Sequence, residues 1–121
     1  MNNKVKSYKD LIVWQKAIDL VVAIYSLTDN LPKSELFDLT SQIRRAAVSI
    51  PANISEGSRR SSKKEFAQFL KISYGSGAEL ETLIIIIKKL PFGKNLNYTR
   101  VDSLLIEIMK MLNGMLKSLS S

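Results

Sequence analysis

The densest chemistry in the chain lies in SIPANISEGSRRSSKKEF, residues 49–66. Arg59, Arg60, Lys63 and Lys64 fall between an apolar phrase ending at Glu56-Gly57 and another opening at Phe66. Widening the window to residues 44–71 adds Arg44, Arg45 and Lys71, with Glu56 and Glu65 as the only anions. Seven cations less two anions leave +5 of the chain's net +7. Arginine forks grip phosphate oxygens in bidentate fashion, and backbone N–H groups at a helix start hold anions. Lys63 and Lys64 fall where a helix begins, a placement that opposes the macrodipole. The competing account is a solvated turn with local pairing to Glu56 and Glu65, each pair contributing ~0–1 kcal/mol. No helix-turn-helix, zinc-finger or aromatic-stacking pattern accompanies the cations. Binding of RNA or DNA would therefore read backbone or shape rather than base sequence.

Catalytic groups are sparse. The chain has neither histidine nor cysteine, which removes the usual general base, thiolate chemistry and the commonest metal ligands. Glu79 and Glu81 are two positions apart and do not share a helical face. Glu56, Glu79 and Glu107 belong to separate phrases, and no motif brings them together. Ser49, Ser55, Ser73 and Ser76 lack a histidine partner. The GSG at Gly75–Gly77 lies inside a helical pattern rather than after a strand, so it is no phosphate loop. A non-enzymatic protein without metal or cofactor is expected.

Four helical phrases carry these residues. In DLIVWQKAIDLVVAIYSLTDNLP, Leu11, Trp14, Ile18, Val21 and Tyr25 form a stripe with Asp10 as a cap, while Val13, Val22, Ile24 and Leu27 lie off it. The second phrase follows Pro32. Its candidate cap is Ser34 and its stripe is Leu39, Ile43, Ala46, Ala47, Ile50 and Ile54. Pro51 interrupts this rhythm, and the reading is one bent helix rather than two. Ser61 or Ser62 starts the third helix, where Ser62 and Glu65 have capping-box spacing. That helix runs to Pro91 and Gly93, roughly 40 Å at ~1.5 Å per residue. Its glycines imply a close approach through Ser73, Gly77 and Ala78, or else a local bend. The fourth helix carries Val101, Leu105, Ile108, Leu112, Met115 and Leu119, with Asn97 or Thr99 as cap. Connectors of about four to six residues make sequential helices antiparallel neighbours.

The expected fold is all-α: one up-and-down antiparallel four-helix bundle spanning residues 1–121, with residues 1–9 flexible. A three-helix division at Pro51 or the glycines is the alternative. No stretch approaches the ~20 apolar residues needed to cross a bilayer, and the basic N-terminus has no apolar signal core, so a soluble cytoplasmic protein is expected. The run Leu83-Ile84-Ile85-Ile86-Ile87 covers every side of its helix, and the first helical phrase also has apolar residues off its stripe. Either these segments are central or they form a subunit interface; self-association is the reading adopted.

DLIVWQKAIDL (10–20), QIRRAAVSIPANISEGSRRSSKKEFAQFL (42–70) and SYGSGAELETL (73–83) together resemble the family of 23S rRNA intervening-sequence proteins. Ser55 stands where that family often has alanine. The resemblance implies an up-and-down bundle assembled into a ring-like homopentamer. The family is also similar to the accessory protein of diversity-generating retroelements, a basic pentamer that associates with nucleic acid and a reverse transcriptase. Carried over to this chain, the basic surface comprises Arg44, Arg45, Arg59, Arg60, Lys63 and Lys64. Asn53, Glu56, Gly57, Gly75, Ser76 and Glu79 belong to the family pattern, and their expected role is capping or cross-helix hydrogen bonding. The rival function is a structural or scaffolding homo-oligomer that binds a protein partner without touching nucleic acid.

Overall fold

The computed structural model describes residues 7–120. Among these residues there are four α-helices and no strand: α1 (Ile12–Thr28), α2 (Leu39–Ser58), α3 (Lys63–Lys89) and α4 (Thr99–Ser120). Single-turn 3-10 helices, Tyr8–Asp10 and Lys33–Glu35, precede α1 and α2. α1 and α3 each pack against α2 and α4, and the diagonal helices bring no Cα atoms within 8 Å of each other. Ser49 of α2 meets Ser76 of α3, and Gly57 meets Phe69, so these two helices run antiparallel. Lys88–Asp102 and Gly77–Met109 do the same for α3 and α4. The molecule is an all-α, up-and-down four-helix bundle. No helix among the described residues is long and apolar enough to cross a membrane.

The core is aliphatic: Leu20, Ile24, Ile43, Ile50, Ile54, Leu70, Leu80, Ile87, Ile108 and Leu112 are fully buried. The expected stripes of α2 and α4 face this core. α1 differs. Its inward face is Val13, Ala17, Leu20, Ile24 and Leu27, whereas Ile18 and Tyr25 of the expected stripe are exposed. Both faces of α1 are apolar, so its own periodicity does not choose between them; packing between α2 and α4 does. Trp14 is half-buried and meets Tyr8 edge-on, with ring centroids 5.3 Å apart.

The helix ends also depart from expectation. Asp10 is not the cap of α1: it closes a capping box with Ser7 around the first 3-10 turn, and Leu11 takes the N-cap position. The rest of the N-terminal stretch expected to be flexible, residues 1–6, lies outside the described residues. Ser34 falls inside the second 3-10 turn. α2 begins after Asp38, whose carboxylate accepts from Gln42 Nε2 at 2.9 Å instead of capping the helix. Ser62 does cap α3, accepting the Glu65 N–H at 3.1 Å. The Glu65 carboxylate takes hydrogen bonds from the Ser61 and Ser62 hydroxyls, so only half of the capping box forms. At α4, Asn97 Oδ1 accepts the Thr99 N–H at 3.0 Å.

Residues 59–62 form a short link, but 29–38 and 90–98 are longer than the connectors expected. The first long link contains the Lys33–Glu35 turn. In the second, Tyr98 donates to the Gly93 carbonyl at 2.6 Å. A side chain at Gly93 would collide with the Ile87 carbonyl. Burial, and then the Asp102 carboxylate, push the Tyr98 hydroxyl above its ordinary pKa of 10.0.

α2 runs through Pro51 as one helix, and α3 is unbroken across its glycines. Ser73 is buried and donates to the Ile50 carbonyl at 2.9 Å, tying α3 to α2 beside the proline. Gly77 is buried against Met109, but Ala78 is exposed, so the close approach rests on Ser73 and Gly77 alone. The isoleucine run divides: Leu83, Ile84 and Ile87 point inward, while Ile85 and Ile86 are exposed.

Candidate nucleic-acid interface

The α2–α3 elbow is built around a glycine. The Arg59 and Arg60 N–H groups bond back to the carbonyls of Glu56 and Gly57, which closes α2. Gly57 is buried, and a Cβ there would lie 2.6 Å from Phe69 Cβ and 3.1 Å from Phe66 Cδ1. Its missing side chain is what lets the start of α3 fold back so closely. The Ser62 cap then sets where α3 begins, and Lys63 and Lys64 occupy its first turn.

The four elbow cations differ in their surroundings. Arg60 pairs with Glu56 at 2.9 Å, and its guanidinium lies 4.7 Å from the Phe69 ring centroid. Arg59 sits over Tyr8 at 5.6 Å. Both arginines are exposed, so stacking orients them without withdrawing their charge from solvent. Lys63 and Lys64 are exposed and have no ion-pair partner among the described residues. The Glu65 carboxylate is turned toward the serine hydroxyls rather than the lysines. Four cations less Glu56 and Glu65 leave a local charge of +2.

Arg44 and Arg45 do not join this cluster. They lie in the first half of α2, and Arg44 is about 22 Å from Arg59 along the helix axis at ~1.5 Å per residue. Arg44 Nε donates to Thr28 Oγ1 at 2.9 Å, and its Nη2 meets Asp29 Oδ1 at 3.1 Å. Its guanidinium also covers the Tyr25 ring at 4.3 Å. These contacts fasten α2 to the end of α1. Arg45 is exposed and has no partner among the described residues. It borders a groove of about 310 Å³ together with Gln42, Ser49, Ser76 and Glu79.

The family-pattern residues divide by role. The Ser49 and Ser76 hydroxyls share a 2.8 Å hydrogen bond across α2 and α3, and Asn53 Nδ2 donates to the Ser49 carbonyl and hydroxyl at 2.8 and 3.0 Å. Glu79 borders the same groove. Glu56 and Gly57 belong to the elbow, and Gly75 faces open space. Of the three carboxylates in separate phrases, Glu56 pairs with Arg60 and Glu107 with Lys16 at 2.8 Å, and the three do not form one cluster. Among the described residues, no three acidic side chains gather to hold a metal ion.

Sequence reasoning missed the rings under the arginines, Tyr8, Tyr25 and Phe69, because each pair joins different elements. It also missed Phe37, which is 93% exposed. No local signal distinguishes an exposed phenylalanine from a core one. A family model described as 23S rRNA-intervening sequence protein matches residues 9–114. No curated protein matches the chain.

Proposed function

The chain belongs to the 23S rRNA-intervening sequence protein family, and we propose that it is a non-enzymatic, self-associating helical protein that holds nucleic acid by its phosphates. The observation that carries this reading is the elbow, where Arg59, Arg60, Lys63 and Lys64 lie within six positions and both lysines lack an ion-pair partner among the described residues. Arginines oriented over rings suit bidentate phosphate contacts, and the lysines act as point charges. A homo-oligomer, the ring-like pentamer that the resemblance implies, repeats the elbow and multiplies weak contacts into avidity. The cytoplasm is the proposed site of action.

The test is binding of short RNA, single-stranded DNA and duplex DNA across a salt series. A variant with glutamate at Arg59, Arg60, Lys63 and Lys64 runs beside the wild type, after light scattering has shown equal assembly. Four phosphate contacts give a log–log salt slope of about −3 to −4 per engaged elbow. Absence of binding at low salt, or undiminished binding by the variant, defeats the reading.

A second reading is a scaffold for a protein partner. It is favoured by the commitment of Arg44 to Thr28, Asp29 and Tyr25, and by exposed apolar side chains such as Ile12, Val22 and Phe37. The likeness to the accessory protein of diversity-generating retroelements makes a reverse transcriptase the first such partner to try.

A further inference from the structure

Phe37 is the most exposed large apolar side chain among the described residues, at 93%. It lies just ahead of α2 and borders two grooves on the outer edge of that helix. One opens toward Tyr25 of α1 and the other toward Ser76 and Glu79 of α3. Leu36 and Val48 beside it are exposed as well. Aromatic side chains presented in this way serve as anchors of protein interfaces. Close by, Arg45 is a cation without a partner among the described residues.

The groove between α3 and α4 has the complementary character. Ile84, Ile85, Leu105 and Ile106 line a cavity of about 270 Å³. That volume lies below the ~300–1,000 Å³ of small-molecule sites and suits a single aromatic side chain. Ile85 and Ile106 are 48% and 55% exposed in the isolated chain. On the rim, Lys88 and Asp102 satisfy each other at 2.7 Å. Glu81 is then the one rim charge without a partner among the described residues.

Anchor and groove also share one height on the bundle. Counting back from the Ser49–Ser76 contact along the antiparallel pair places Phe37 level with Lys88, which bonds Asp102 in the groove itself. We propose that Phe37 of one copy seats in the α3–α4 groove of a second copy, with Arg45 pairing to Glu81 of the partner subunit. The two surfaces are different faces of the chain, so the contact is heterologous. Their common height makes successive copies turn about an axis along the bundle, which favours a closed ring over a climbing filament. This interface rests on the self-association in the functional reading above.

The natural absence of cysteine allows a direct test. A Phe37→Cys/Ile106→Cys double variant should give a ladder of disulfide-linked species on mild oxidation, and neither single variant should extend past a dimer. Phe37→Ala should weaken association at least ~30-fold in sedimentation, the loss typical of an interface hot spot. Arg45→Glu should weaken it too, and adding Glu81→Arg should restore it. Circular dichroism should remain native, since Phe37 is exposed. If the wild type stays monomeric at all concentrations, both self-association and this interface fall. If it assembles but Phe37→Ala leaves assembly unchanged, or the cysteine pair gives no ladder, this docking is wrong and self-association stands.

Discussion

Alanine in place of Gly57 sets two effects of known size against each other. In a helix interior alanine is favoured over glycine by about 1 kcal/mol, and at the penultimate position of α2 the gain is at most that. Against it stands the close packing of the elbow. The new Cβ would lie 2.6 Å from Phe69 Cβ and 3.1 Å from Phe66 Cδ1. Phe69 Cβ is bound directly to the α3 backbone, so a rotamer change does not relieve the clash and α3 itself must shift. Overpacking of this kind costs about 1–3 kcal/mol. The net result is a loss of up to about 3 kcal/mol.

Gly75→Ala is the control, because nothing lies within 4 Å of its Cβ position. It should gain about 1 kcal/mol from helix propensity alone. The separation between the two variants therefore measures the clash. Urea unfolding followed by circular dichroism, at one fixed protein concentration because association adds stability, gives both values. Gly57→Ala should also weaken phosphate binding, since the shift of α3 moves Phe69 and the Lys63–Lys64 turn. The packing argument is refuted if Gly57→Ala is as stable as Gly75→Ala.

Arg44→Ala should destabilise the fold by about 1–3 kcal/mol, through lost hydrogen bonds and the Tyr25 contact, and leave nucleic-acid affinity unchanged; unfolding and binding assays on one sample check both. Lys63→Ala or Lys64→Ala should do the reverse, reducing the salt slope by about 1 without moving the unfolding midpoint. Tyr98→Phe removes the hydrogen bond to Gly93 and should cost about 1 kcal/mol near neutral pH. The Tyr98 hydroxyl is raised in the folded state by burial and by Asp102. Above pH 10.0 the unfolded chain thus loses its proton first, and stability falls as pH rises toward the folded value. Unfolding curves across that alkaline range should show a smaller decline in Tyr98→Phe than in the wild type.

Local interactions made much of the fold legible in the sequence. The stripe of α4, the inward face of α2 and the Ser62 cap all depend on residues three or four positions apart, and the structure keeps them. The elbow cations were legible for the same reason, being neighbours in the chain. Spacing did not reveal which side of α1 faces inward, since Ile18 and Ile24 are equally apolar and only the flanking helices distinguish them. Nor did it show that Arg44 is spent on Thr28 and Asp29 while Lys63 and Lys64 have no ion pair among the described residues, because the partners of Arg44 lie in another element. The single basic window of residues 44–71 became two sites because a rigid helix holds its ends apart. Composition and periodicity determined a basic four-helix chain; tertiary packing decided which cations remain available and which apolar side chains stay outside, because both depend on neighbours distant in sequence.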